Sequence, residues 1–126
     1  MEFETVSWIA VITGAVAAFL FGWLVYSPLL FFKVWAEGSG VEVEPGGKPP
    51  LGAMVLQIIG LLCLSAVVGV TATIEALITA LLAILAAACL TMSNGAFAGK
   101  STAAIAVDGG YIVGAGILMI VAQAIY

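Results

Sequence analysis

Apolar residues fill this chain in long unbroken runs, not at every second or every third to fourth position. Four runs stand out: Val6 to Tyr26, Leu51 to Val70, Ile74 to Met92 and Thr102 to Ile125. Each is near the ~20 residues with which a helix crosses a ~30 Å hydrocarbon layer. Transmembrane strands alternate in polarity over about ten residues, and a run such as Ala76 to Leu90 shows no alternation. The pattern predicts an all-α membrane protein, one domain over residues 1–126 with four transmembrane helices in an up-down-up-down bundle.

The breaks between the runs carry the turn chemistry. Residues 37–50 hold four glycines and the Pro49-Pro50 pair, which predicts a flexible connector, with the prolines preventing an earlier start of the second long helix. Thr71-Ala72-Thr73 predicts a tight turn with a threonine N-cap and Glu75 near the positive end of the next helix. The second and third helices then form an antiparallel hairpin. Ser93-Asn94-Gly95 marks the end of the third helix, and Ser101 caps the fourth.

Composition fixes the class. With 64% hydrophobic and 8% charged residues and a mean hydropathy of +1.30, the chain is too apolar for a water-soluble domain of its size. Glu2 and Glu4 precede the first run and no basic n-region does, so that run is expected to be a retained helix and not a secretory signal. The basic residues are three lysines: Lys33 and Lys48 after the first helix, Lys100 after the third. Under the positive-inside rule the loops 33–50 and 93–101 are expected to be cytoplasmic, with both termini on the opposite side of a bacterial inner (plasma) membrane. The net charge of −4 and the lack of a basic stripe exclude nucleic acid as a partner. Membrane lipid is the expected surrounding.

Small residues recur at four-residue spacing: Gly14, Ala18 and Gly22 in the first helix, Ser65 and Gly69 in the second, Ala76 and Ala80 in the third, and Ala106, Gly110 and Gly114 in the fourth. Such faces let helix backbones approach closely in lipid, where no hydrophobic force drives helices together. They are expected to pack the bundle internally, with self-association the alternative use. Trp8, Trp23 and Trp35 fall near helix ends, where aromatic residues form an interfacial belt. Cys63 and Cys89 are expected as small buried apolar residues, at depths too different for a disulfide.

One acidic residue stands apart. Asp108 lies about two turns into the last apolar run, roughly 10 Å below Ser101 at 1.5 Å per residue. A carboxylate at the centre of a membrane helix costs roughly 2.5–3.5 kcal/mol on insertion scales, so an intramembrane acid marks a functional or structural pivot. In the predicted topology Tyr26 and Ser27 end the first helix at the same depth, and Tyr111 shares the Asp108 face. Tyr26, Ser27, Asp108 and Tyr111 form a candidate polar cluster.

Gly22-Trp23-Leu24-Val25-Tyr26-Ser27-Pro28-Leu29-Leu30-Phe31 with Trp35, followed by Asp108-Gly109-Gly110-Tyr111, resembles a bacterial domain-of-unknown-function family of small four-helix inner-membrane proteins. The resemblance implies that fold and carries no established activity. A histidine commonly follows the final tyrosine in that family, whereas Ile112 stands here and the chain has no histidine.

These features predict no enzyme. There is no histidine, no Cys-x-x-Cys pair and no phosphate-cradling glycine loop, so no catalytic residue and no metal ligand set is assigned. No cofactor is expected either, since Met54 and Met119 are weak alternatives to histidine as haem or chlorophyll ligands. Two functions stay open: a structural or accessory subunit that packs against itself or a larger membrane complex, and a small proton- or cation-linked transporter or channel built on Asp108.

Overall fold

The computed structural model describes residues 5–27, 32–39 and 51–126. Expectations that concern Glu2, Glu4, Pro28, Lys48 and the loop from residue 40 to Pro50 lie outside the described residues. Five helices make up the described structure: α1 (Trp8–Val25), α2 (Phe32–Ser39), α3 (Leu51–Thr73), α4 (Leu77–Phe97) and α5 (Thr102–Ile125). Four of them, all but α2, are long and apolar enough to cross a membrane.

Contacts across the helices give their directions. Tyr26 meets Asp108 while Gly14 lies against Met119, so α1 and α5 run antiparallel. Gln57 meets Tyr111 and Gly69 approaches Gln123, so α3 and α5 run parallel. Gly109 abuts Met92 and Gly116 abuts Ile84, so α4 runs against α5. The four long helices therefore form an up-down-up-down bundle. Helix α5 is its spine, touching all four other helices.

Packing around α5 relies on small residues. Ala104, Asp108, Tyr111, Ala115, Met119 and Ala122 form its buried face, and Ala18, Val25, Leu61, Val68, Ala80 and Ile84 close over it from α1, α3 and α4. A Cβ at Gly14 would meet the Met119 Cα at 3.1 Å and Ser65 Oγ at 3.0 Å, and one at Gly22 would meet the Tyr111 ring at 2.9 Å. Ala18, between them, is fully buried. Gly114 faces the Phe21 ring and Gly116 faces Ile84. Gly110 departs from the expected packing: nothing lies within 4 Å of its missing Cβ, and Ala106 beside it is exposed too. The buried stripe of α5 passes through Asp108 and Tyr111 instead, which turns the 106–110 line outward. The outer surface of the four long helices is largely apolar, with Phe97 90% and Trp23 75% exposed, as suits helices that face lipid. Cys63 and Cys89 are exposed on it and not buried; a small apolar thiol is at ease against lipid, so burial gives it nothing extra.

The helix ends depart from the sequence expectation in an instructive way. Helix α4 continues through Ser93-Asn94-Gly95, because Gly95 is buried against Ile105 and Lys100, and stops two residues later. Gly99 sits at φ 80°, with Lys100 N–H donating to Gly95 O (3.0 Å) and Gly99 N–H to Ala96 O (3.1 Å), which is a Schellman motif. Helix α3 likewise runs through Thr71 and Thr73. Their hydroxyls donate to their own helix, Thr71 Oγ1 to Val67 O and Val68 O and Thr73 Oγ1 to Val70 O, and so cap nothing. The turn comes at Ile74–Ala76, a second Schellman motif (Ala76 N–H to Thr71 O, 2.9 Å) with Glu75 at φ 53° in the place that glycine usually takes. Ala76 then precedes α4 without a side-chain cap. Ser101 does cap α5, its Oγ accepting from Ala104 N–H at 3.1 Å, as Ser7 does for α1.

Helix α2 occupies part of the expected connector, so Glu37 to Ser39 are helical and not loop. It is amphipathic: Lys33, Val34 and Glu37 are exposed and Ala36 is buried. Ser101 N–H donates to Gly38 O at 2.8 Å, which ties the end of α2 to the start of α5.

The two glycine environments separate in a stability measurement. Gly14→Val, which must push Met119 backbone and Ser65 aside, is expected to destabilise the bundle by about 1–3 kcal/mol. Gly60→Val, with open space around the site, is expected to change it little. Thermal unfolding in one detergent compares the two.

Candidate functional site

Asp108 lies two turns into α5, on the buried face, and is 7% exposed. Its two oxygens have separate donors. Tyr26, the residue that caps α1, donates its hydroxyl to Oδ1 at 2.5 Å. Lys100, delivered by the Schellman turn that ends α4, places Nζ 2.9 Å from Oδ2. The pair is only partly sheltered, because the Lys100 side chain keeps 24% exposure.

Aromatic rings wall this pair. The Tyr26 ring packs edge-on against Trp35 of α2 (5.3 Å between centroids) and against Tyr111 (5.6 Å). Lys100 Nζ lies 5.6 Å from the centre of the Trp35 ring, within range of a cation–π attraction. The ammonium thus has a carboxylate and an aromatic face as neighbours.

Tyr111 belongs to a second chain of hydrogen bonds one turn deeper. Its hydroxyl accepts from Gln57 Nε2 of α3 at 2.9 Å and donates to the Ala18 carbonyl of α1 at 3.2 Å, and Phe21 stacks on its ring at 5.9 Å. Gly22 leaves the room that this ring requires. The two chains together join α1, α3, α4 and α5, with α2 laid over them by Trp35.

Of the four residues grouped from the sequence, the structure brings Tyr26, Asp108 and Tyr111 together. Ser27 stays apart, because its Oγ donates to Leu24 O of its own helix at 2.7 Å. Trp8 and Trp23 lie exposed near opposite ends of α1, whereas Trp35, expected in the interfacial belt, packs against Tyr26 and Lys100. Sequence reasoning missed three members of the network. The sequence gives Lys100 a place in the topology, Trp35 a place in the belt and in the family pattern, and Gln57 none. The available signal for Gln57 was its standing as the one amide in α3.

Chemically, the site neutralises a membrane-embedded carboxylate with one cation and one neutral donor. Among the described residues no three His, Cys, Asp or Glu side chains gather where they could hold one metal ion.

A family model described as a protein of unknown function, DUF1761, matches residues 9–123. The chain belongs to the DUF1761 family. No curated protein and no solved structure matches it. The matched span takes in Tyr26, Trp35, Gln57, Lys100, Asp108 and Tyr111, so the whole network lies inside the DUF1761 region.

Removing each donor from Asp108 has a distinct expected cost. Tyr26→Phe leaves Oδ1 without a partner and should destabilise this DUF1761 protein by about 1–3 kcal/mol. Lys100→Met leaves an unpaired charge and should cost more, near the lower end of about 3–5 kcal/mol because the ammonium is partly exposed. A double-mutant cycle with Asp108→Asn checks the assignment: the Lys100→Met penalty should shrink once the carboxylate is gone.

Proposed function

We propose that this protein is a structural or accessory element of the bacterial inner membrane, acting without catalysis by packing against itself or within a larger membrane complex. The observation that carries this reading is the saturation of Asp108. Both of its oxygens are taken by donors on other elements, Tyr26 and Lys100, so the carboxylate acts as a clamp between helix ends and not as a vacant ion site. In this reading the Lys100 end of the bundle faces the cytoplasm and both termini face the other side, in keeping with the lysines.

The outward line of α5 supports the same reading. Ala106 and Gly110 stand one turn apart on a face with nothing packed on it, and small residues at that spacing let a second helix approach closely. The clamp holds α5 in one rotation, which keeps this line presented to the membrane.

A second reading, a small proton- or cation-linked transporter or channel, draws on the exposure of Lys100 beside the buried Asp108, an arrangement that gives a proton a way in. One set of experiments separates the two. Under the structural reading, vesicles carrying the purified protein show no proton flux above empty vesicles, and Gly110→Leu breaks the oligomer or complex without lowering helix content. Flux that vanishes in Asp108→Asn while assembly stays intact would transfer the assignment to transport.

A further inference from the structure

At the end of the bundle away from Asp108, a cavity of about 170 Å³ opens where the α3–α4 turn meets α5. Ala72, Ala76 and Ala80 make its walls thin, Val68, Leu77 and Ile120 make it apolar, and Gln123, Thr71 and Glu75 supply its polar groups. We propose that it binds one phospholipid with a primary-ammonium headgroup, taking the upper part of an acyl chain into the cavity and pairing the ammonium with Glu75.

The depth fits a lipid. Gln123 lies two residues before the end of α5 and Thr71 two before the end of α3, about 3 Å inside the helix ends at 1.5 Å per residue. Chain esters and first methylenes of a phospholipid lie at this level. The cavity is open on one side and mostly apolar in its lining, so a short run of methylenes fits here.

The polar groups fit a lipid too. The Gln123 Nε2 is buried against Gly69 and has no acceptor there; a half-turn of the terminal amide leaves Oε1 in that apolar place and brings the NH₂ to the cavity side, where an ester carbonyl can accept from it. An amide without a partner in the chain gains from an acceptor brought to it. Glu75 is exposed at the rim and holds its left-handed backbone despite carrying a side chain. The first turn of α4 begins beside it with no side-chain cap, leaving amide N–H groups for the lipid phosphate. A carboxylate next to those amides suits a zwitterionic headgroup and disfavours a net anionic one. The lysines do not oppose this: Lys33 and Lys100 belong to the other end of the bundle.

The test offers delipidated protein in mild detergent three phospholipids with identical chains, phosphatidylethanolamine, phosphatidylcholine and phosphatidylglycerol, and counts retained lipid by native mass spectrometry. The expected result is one phosphatidylethanolamine held up to about fivefold more tightly than phosphatidylglycerol, the discrimination that one exposed ion pair allows, with phosphatidylcholine between them. Glu75→Gln should erase that preference and keep binding. Ala72→Phe, at the exposed rim, should block the cavity and lose the lipid. Gln123→Leu should raise the thermal midpoint of the lipid-free protein, since a partnerless amide is removed, and should reduce the further rise that phosphatidylethanolamine produces. Equal retention of phosphatidylethanolamine and phosphatidylglycerol by the unaltered protein overturns the proposal. So does retention that neither Ala72→Phe nor Gln123→Leu changes. Should Ala72→Phe fail to assemble, Gln123→Leu decides alone.

Discussion

Hydrocarbon offers no hydrogen bonds, so a carboxylate placed among membrane helices takes its partners from the protein or goes without. Asp108 takes them from two directions, a phenol that ends α1 and an ammonium that follows α4. Neither donor sits on α5 itself. Satisfying one side chain therefore fixes three chain segments against each other, and Trp35 extends the arrangement to α2 by covering both donors. The geometry of the Schellman turn belongs to the same constraint. The chain leaves α4 through Gly99 at φ 80° and carries Lys100 back to Asp108.

The fold class was legible because lipid imposes a simple rule: long uninterrupted apolar runs are helices that span. The direction of each helix followed from the loops. Tyr26 and Asp108 could be matched in depth from helix rise alone, which is why the sequence pairs them. Rotation was harder to read. The spacing of Ala106, Gly110 and Gly114 suggested one buried stripe, yet the polar pair Asp108 and Tyr111 sets which face turns inward, and small residues at 106 and 110 then fall outside. Turn chemistry misled for a similar reason. Thr71 and Ser93-Asn94-Gly95 look like helix breakers in water, but here the Thr71 hydroxyl bonds back to its own helix and Gly95 packs against Ile105 and Lys100, and α3 and α4 both run on. Helix α2 was hidden because eight residues cannot span, and its character appears only once Trp35 and Ala36 are seen to share a covered side.

Side-chain volume, more than polarity, differentiates the faces of α5. Its inner face alternates alanine with Tyr111 and Met119, each large residue matched by a glycine or alanine of α1 that yields space: Gly22 for Tyr111, Gly14 for Met119. Its outer face offers Ala106 and Gly110 with nothing across from them. A helix that is closely matched on one side and thin on the other is suited to receiving a second helix, and that contrast supports the reading as an element that associates with itself or a larger complex.

The two ends of the bundle differ in what surrounds their polar groups. At the Asp108 end the carboxylate, both tyrosine hydroxyls, Gln57 and Lys100 are paired within the chain, while Trp35 Nε1 and Ser39 Oγ are buried without a partner. At the other end the Gln123 amide has no partner beside an apolar cavity, and Glu75 keeps a charged side chain in a backbone conformation that glycine would hold without strain. An unpaired buried N–H is thus found at both ends, and what sets Gln123 apart is the apolar cavity beside it. A partner outside the chain can reach Gln123 through that cavity. In a membrane, at ester depth, the partner always at hand is the lipid itself.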